Sequence, residues 1–141
     1  MEIKEKTVIT VEVLSNVSVA KAWKHFTEPE SITKWNAASD DWHSPRASND
    51  VRPGGKFNIR MESRDGKEGF DFEGEYTNVI PNQFIAYTMP DGRQVSVKFI
   101  EEGHQTRVVE SFDAESTHPA EMQREGWQAI LDNFSRYAEA N

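Results

Sequence analysis

The longest regular pattern of apolar and polar positions lies at the C-terminal end, from Thr117 to Ala140. A helical step of about 100° per residue gathers the apolar side chains on one half-circle and the polar ones on the other. The pattern predicts an amphipathic helix that needs a wide apolar surface to cover it. The apolar half holds Gly126, Trp127, Ile130, Leu131, Phe134, Tyr137 and Ala138, and the polar half holds Arg124, Glu125, Gln128, Asp132, Ser135, Arg136 and Glu139.

Two residues on the apolar side of this predicted helix interrupt it. Gln123 is polar, and Gly126 is a glycine in a helix interior, which costs roughly 1 kcal/mol relative to alanine. A glycine at such a position indicates that a neighbouring surface or a ligand comes close to the helix backbone there. We therefore expect a close approach at Gly126 and a polar group, Gln123, on the inner side of the helix.

The N-terminal part predicts one strand and two short helices. Residues 3–14 alternate β-forming side chains, as a strand does. The segment VSVAKAWKHF then repeats apolar residues at helical spacing, with Ser18 as its cap. For the second helix, Thr27 and Glu30 form a T-x-x-E capping box around Pro29, which a first turn tolerates. Its inward face would consist of Ile32 and Trp35.

Residues 36–50, NAASDDWHSPRASND, are polar and rich in turn-forming residues, and they also contain Trp42 and His43. No helical or strand period is visible in this stretch. We therefore predict a long irregular loop, and such loops are usually functional or mobile.

From residue 56 to residue 112 the pattern becomes alternating, with turn signals at short intervals. The turns are predicted at Asp65-Gly66, Pro81-Asn82, Asp91-Gly92 and Glu102-Gly103. Neighbouring strands should pair antiparallel, because short connections favour that arrangement. The sheet would have one apolar face, and the C-terminal helix is the only predicted element wide enough to cover it. The fold class is therefore α+β, and residues 1–141 should form a single domain.

Composition narrows the possible partners. The net charge of −8 opposes phosphate backbones and anionic membranes, so we expect no nucleic-acid partner. No run approaches the roughly 18 apolar residues needed to span a membrane, so we expect no membrane insertion. The chain has no cysteine, which excludes disulfides and thiolate metal sites. No two histidines are spaced as H-x-x-x-H, the spacing that would indicate a metal site on a helix. The N-terminus has no signal-peptide pattern, so a cytoplasmic location is expected. We expect no metal and no cofactor.

The order of these elements, together with six stretches of sequence, resembles the START-like, or SRPBCC, helix-grip domains. The stretches are AWKHFTEPESITKW, RPGGKF, RMES-x-DG, GFDFEGEYTNVIP, IAYTMPDGRQVSVKF and EMQREGWQAILDNFSRY. More specifically, the chain resembles the family named for activators of the heat-shock protein 90 ATPase. The likeness covers nearly the whole chain. One departure is Asn36, because many relatives have a second tryptophan directly after the one that matches Trp35.

The resemblance implies a curved sheet that grips the final helix, with a cavity between them that commonly holds a hydrophobic or amphipathic small molecule. The superfamily includes lipid carriers, hormone receptors, polyketide cyclases and chaperone regulators, so the fold alone does not determine the function. Aromatic residues are abundant, and with a few polar groups they would suit such a site. The predicted ligand-binding residues are Trp35, Trp42, His43, Phe57, Ile59, Met61, Phe72, Tyr87, Phe99, Gln123, Trp127 and Leu131.

Three functions are compatible with the sequence, and the first is favoured. The protein would bind a small apolar or amphipathic molecule without a covalent step. Alternatively, it would be a cyclase-like or dehydratase-like enzyme, with His43 as acid or base and Asp41 orienting it. The third alternative is an interaction protein that stimulates a chaperone ATPase, as the family name suggests. A homodimer through an exposed sheet edge is also possible, although no residue demands it.

Overall fold

The structure is a computed structural model that describes residues 7–141. The predicted strand at residues 3–14 therefore starts outside the described residues, and its visible part begins at Val8. In chain order the elements are β1 (Val8–Ser15), α1 (Val19–Thr27), α2 (Pro29–Trp35), β2 (Trp42–Asn49), β3 (Lys56–Ser63), β4 (Gly69–Ile80), β5 (Phe84–Thr88), β6 (Gln94–Glu102), β7 (Gln105–Asp113) and α3 (Ala120–Ala140).

The strands of the described chain form one antiparallel sheet of seven strands in the order β1-β7-β6-β5-β4-β3-β2. Strands β2 to β7 follow each other as a meander, and β1 closes the order beside β7. The sheet curls into a half-barrel, with α3 and the two short helices beside it. This arrangement confirms the predicted helix-grip fold.

Helix α3 packs against the rest of the protein through its apolar face. Leu131, Phe134 and Ala138 are completely buried. The ring of Phe134 meets the edges of Phe26 and Trp35 at centroid distances of 5.3 Å and 5.2 Å, so α3 contacts both short helices. The predicted apolar half-circle is therefore the buried one.

One residue of the predicted polar half-circle of α3 is buried instead. Ser135 is only 6% exposed, and its hydroxyl forms a 3.0 Å hydrogen bond with the hydroxyl of Ser15 on β1. A hydroxyl can be buried at low cost when it has such a partner. The angular pattern placed Ser135 outside because periodicity counts polarity and does not detect a partner on another element.

The two short helices form as predicted, except for one cap. The Ser18 hydroxyl accepts a hydrogen bond from the backbone N–H of Lys21 at 3.2 Å, which confirms it as the cap of α1. The capping box between Thr27 and Glu30 is wrong. Thr27 still belongs to α1, and its hydroxyl donates to the carbonyl of Trp23 at 2.8 Å. Because that hydroxyl is engaged within α1, α2 has no side-chain cap.

The predicted long loop at residues 36–50 is also wrong, because Trp42–Asn49 form an edge strand paired with β3. The pairing register shifts between His43 and Arg46. This irregular interval contains Pro45, which has no N–H for a ladder and is tolerated only at edges or bulges. The polar composition of an edge strand and this irregularity hide the alternation on which sequence reasoning depends.

The expected close approach at Gly126 is wrong as well. A Cβ atom added there would meet no heavy atom within 4 Å, leaving aside chain neighbours and the adjacent helix backbone. The glycine therefore costs helix stability with no packing gain. We expect Gly126→Ala to raise the free energy of unfolding by about 0.5–1 kcal/mol. Urea denaturation measures this change, and a clear loss of stability would contradict the described packing.

The matched control is a glycine of the sheet. A Cβ atom at Gly74 on β4 would lie 2.8 Å from Cε1 of Phe57 and 3.1 Å from Cδ2 of Tyr87. Such contacts are too short, so two aromatic rings must shift to accommodate the methyl group. Gly74→Ala should therefore destabilise the protein by about 1–3 kcal/mol, the opposite sign to the change on α3. Neighbouring side chains therefore come close to the backbone at Gly74 and not at Gly126.

Candidate functional site

A cavity of about 320 Å³ lies between the sheet and the helices. Its size falls at the lower end of the usual range for small-molecule sites, about 300–1,000 Å³. Most of its wall is apolar, and all three helices and strands β2, β3, β4, β5 and β7 contribute to it. The lining residues are Phe26, Ile32, Trp35, Asn36, Asn49, Phe57, Ile59, Met61, Phe70, Phe72, Tyr76, Ile85, Tyr87, Met89, Arg93, Glu110, Glu115, Gln123, Trp127 and Ile130.

Most of the predicted ligand-binding residues meet at this cavity, although the sequence separates them widely. Eight of the twelve are on its wall: Trp35, Phe57, Ile59, Met61, Phe72, Tyr87, Gln123 and Trp127. The other four, Trp42, His43, Phe99 and Leu131, are not among the lining residues.

Phe99 and Leu131 are used in packing away from the cavity. Phe99 is on β6, and its ring contacts Trp23 and Phe26 of α1 at 5.3 Å and 5.4 Å. Leu131 is completely buried on α3. Both residues face inward as the pattern indicated, but side chains fill the space around them. Periodicity identifies the inner face and cannot separate a packed part of it from an open part.

The two candidate catalytic residues, Asp41 and His43, lie at the start of β2. His43 is half-buried and stands opposite Glu62 in the pairing of β2 with β3. The Asp41 carboxylate accepts a hydrogen bond from the hydroxyl of Ser39. Trp42, between them, packs against Phe70 with a centroid distance of 6.0 Å. Asp41 and His43 are not joined by a hydrogen bond in the described chain, and neither lines the cavity.

Aromatic rings form one wall of the cavity. Phe57 on β3 meets Tyr87 on β5 edge to face at 4.8 Å, across the strand that carries Gly74. Phe72 approaches Trp127 of α3 at 6.1 Å, so the rings continue from the sheet to the helix. Trp127 in turn stacks on Phe112 at 4.0 Å. These contacts fix the rings in place and give the wall a defined shape.

Gln123 lines the cavity, but its amide group serves the fold. Its Oε1 accepts from the backbone N–H of Glu115 at 2.9 Å, and its Nε2 donates to the carbonyls of Glu115 and His118 at 3.1 Å and 2.8 Å. These bonds hold the segment that leads into α3. The polar position on the predicted apolar face is thus explained by a backbone clamp.

Sequence reasoning missed Glu110. Along β7 the buried positions are Thr106, Val108, Glu110 and Phe112, so the glutamate occupies an inward position of a regular alternation. It is 7% exposed, and burial raises the pKa of its carboxyl to about 8. No described side chain or backbone group forms a hydrogen bond or ion pair with it. The signal was available, because an acid at an inward strand position is unusual unless it is paired or functional.

The other polar groups of the wall differ in how they are engaged. The hydroxyl of Tyr76 donates to Oδ1 of Asn49 at 2.5 Å, and Nε of Arg93 donates to Asp91 at 2.7 Å. Glu115 bonds the His118 imidazole at 2.7 Å, and this bond lowers the pKa of Glu115. Tyr87 has no such partner in the described chain, and burial raises its pKa well above the usual value. Glu110 and Tyr87 therefore offer unengaged polar atoms inside an apolar cavity.

Residues 7–141 also bear on metal binding and on membrane crossing. In that part of the chain, no group of three or more His, Asp or Glu side chains is arranged to hold a metal ion. None of the helices described there combines the length and the apolar character needed to cross a bilayer. The cavity is the feature on which a functional proposal can be built.

Comparison with known proteins places the fold in a family. An AHSA1-like protein from Aeromonas hydrophila is 42% identical and superimposes with a TM-score of 0.89 over 95% of this chain and 93% of that one. A protein from Cytophaga hutchinsonii is 48% identical, with a TM-score of 0.81 over 94% and 92% of the two chains. A protein from Nitrosomonas europaea shares the fold at 20% identity, with a TM-score of 0.82 over 94% of each chain.

No match was found among functionally curated proteins. Residues 16–139 match the sequence profile described as Activator of Hsp90 ATPase homolog 1-like protein. The match covers most of the chain and is consistent with the START-like superfamily. This chain therefore belongs to the family of Activator of Hsp90 ATPase homolog 1-like proteins.

Proposed function

We propose that this protein binds a small apolar or amphipathic molecule in the cavity between the sheet and α3. The observation that carries the proposal is the cavity of about 320 Å³, enclosed mostly by aromatic and aliphatic side chains. Side chains in protein interiors normally pack closely together. A fold that keeps a partly open space of this size between its sheet and its helices is suited to hold a ligand there.

The mostly apolar wall is suited to bind a ligand by removing its apolar surface from water. An apolar ligand surface gains roughly 25 cal/mol for each Å² removed from water. A few polar groups among apolar ones would orient the ligand, as is usual in such sites. In this cavity Glu110 and Tyr87 are two such groups, because their side-chain oxygens have no partner among the described residues.

A cavity-filling substitution tests the proposal. Ile130 lines the cavity from α3 and is half-buried, so Ile130→Trp should occupy ligand space while the helix persists. A naphthalene-based series and a fatty-acid series serve as probes in a thermal-shift screen. A ligand at 100 times its Kd should stabilise the wild-type protein by about 2.7 kcal/mol. We expect Ile130→Trp to weaken binding of the best probe by about tenfold or more.

The matched control places the same side chain outside the cavity. Met122 lies on α3 and is 56% exposed, so Met122→Trp should retain the wild-type affinity. Equal loss in both variants would indicate a general effect of the added indole. Full binding by Ile130→Trp, or no stabilisation by any probe, would contradict the proposal.

Two other functions make different demands on the molecule. A cyclase-like or dehydratase-like enzyme would need an acid or base at the cavity, and His43 and Asp41 stand away from its wall. Stimulation of a chaperone ATPase, which the family description suggests, would use an outer surface and not the cavity. An ATPase assay with wild-type protein and Ile130→Trp separates the two roles, because only ligand binding depends on the open space.

A further inference from the structure

Glu110 carries a buried carboxyl that has no partner among residues 7–141. Glu110 is 7% exposed, lines the cavity, and forms no hydrogen bond or ion pair with any described residue. Its opposite neighbours in the sheet are Val11 on β1 and Val97 on β6, which offer no side-chain donor. Buried carboxyls are normally paired. The carboxyl oxygens of Glu110 therefore remain able to bind a ligand in the cavity.

The protein does not supply the missing counter-charge. Arg93 is the one cationic side chain among the lining residues described, and its Nε bonds the carboxylate of Asp91 at 2.7 Å. The second lining acid, Glu115, is held by the His118 imidazole. An anionic ligand would therefore meet two acids, Glu110 and Glu115, and the one lining cation, Arg93, already pairs with Asp91.

The aromatic wall favours a cation. Tyr87 is close enough to Glu110 that, after burial, the charge of Glu110 also raises the pKa of Tyr87, and the Tyr87 ring packs with Phe57 and Tyr76. Ring faces attract ammonium groups, and this attraction is larger where water is excluded. The net charge of −8 also raises the local concentration of cations around the protein.

We propose, given that ligands bind in this cavity, that the natural ligand is an amphipathic amine whose ammonium group pairs with the Glu110 carboxylate and whose apolar body lies against the aromatic wall. The pair would give Glu110 the partner that it lacks. The hydroxyl oxygen of Tyr87 would accept a further hydrogen bond from the ammonium group. The remaining volume would hold the apolar body.

The affinity for an amine should depend on pH. Burial raises the pKa of Glu110 to about 8, so the carboxyl is mostly protonated at neutral pH while the cavity contains no amine. Binding of an ammonium group ionises it and releases about one proton to solvent. Below the pKa of Glu110, amine affinity should therefore rise with pH, by up to about tenfold per unit.

The other titratable groups of the wall do not produce this dependence. Burial raises the pKa of Tyr76 to about 12 and that of Tyr87 well above its usual value, so both stay neutral. The pKa of Glu115 is lowered by the bond from His118. Because histidines also titrate near neutral pH, a Glu110→Gln variant, which keeps His118, isolates the part due to Glu110.

Three probes with one apolar body test the proposal: naphthylethylamine, naphthylethanol and naphthylacetic acid. Their Kd values are measured by calorimetry on wild-type protein from about pH 6 to about pH 8, in two buffers of different ionisation enthalpy to count protons. We expect the amine to bind tightest and to release a proton on binding. Glu110→Gln should weaken the amine by about tenfold or more and abolish the proton release, while the alcohol changes by about twofold or less.

The control is Glu115→Gln, which removes the other lining carboxylate and should leave amine affinity within about twofold. Tighter binding of the alcohol or the acid, or amine binding unaffected by Glu110→Gln, would overturn the amine proposal and leave cavity binding intact. If none of the three probes binds, both the amine proposal and the proposed function fail.

Discussion

Glu110→Gln should stabilise the protein at about pH 8 by on the order of 4 kcal/mol and should flatten its stability between about pH 5 and about pH 8. The reason is burial, which raises the carboxyl pKa from 4.5 to about 8. In that interval the folded protein keeps a proton that the unfolded chain has released. Stability is therefore complete below the unfolded pKa and falls by roughly 1.4 kcal/mol per pH unit as pH rises toward the folded pKa.

Urea denaturation of wild-type protein and Glu110→Gln across this pH range measures the effect. A glutamine keeps the shape and has no charge to desolvate, so its stability should not follow the same slope. The control is Glu101→Gln, an exposed glutamate on β6, which should leave the wild-type slope unchanged. Wild-type stability that is flat between about pH 5 and about pH 8 would show that Glu110 is solvated or paired.

Phe134→Ala should cost about 3–5 kcal/mol of unfolding free energy, the usual price of removing a buried phenyl ring. Phe134 is completely buried and joins α3 to Phe26 of α1 and Trp35 of α2. Its loss leaves space among three helices, and these helices also form part of the cavity wall. We therefore expect a large drop in the denaturation midpoint.

The comparison for this variant is Met122→Ala, because Met122 is on the same helix and is 56% exposed. Its effect should stay within about 0.5 kcal/mol, as for most surface substitutions. Similar losses in both variants would contradict the described burial, in which Phe134 packs on the inner face of α3 and Met122 is exposed.

The fold was predictable where the sequence carries a clear period. The alternation in β3 to β7 and the turn pairs between them predicted the meander, and the apolar half-circle predicted which side of α3 is buried. These signals are local, because each depends on the spacing of residues within one element. The family resemblance supplied the arrangement of the elements in space.

Features that depend on partners from distant segments were not predictable in this way. The Thr27 hydroxyl bonds within α1, the Ser135 hydroxyl bonds Ser15 on β1, and the Gln123 amide bonds the backbone before α3. In each case the residue type is compatible with several partners. Only the folded chain determines which partner comes within reach.

The candidate site was partly predictable for the same reason. The sequence located inward aromatic residues, because inward positions follow the period of each strand and helix. Whether the space beside them is open or filled depends on packing between elements, as the filled surroundings of Phe99 show. Glu110 was not predicted although its inward position follows from the alternation of β7, because that alternation does not show whether an inward acid has a partner.

The most direct test of the cavity proposal uses the four tryptophans as reporters. Trp35 and Trp127 line the cavity, whereas Trp23 and Trp42 do not. Their indole N–H resonances can be followed by heteronuclear NMR while naphthylethylamine or naphthylethanol is added. The proposal predicts saturable shifts of the Trp35 and Trp127 signals, with Trp23 and Trp42 little changed. Saturable shifts confined to Trp23 and Trp42, or no shift of Trp127 at saturation, would contradict ligand binding in this cavity.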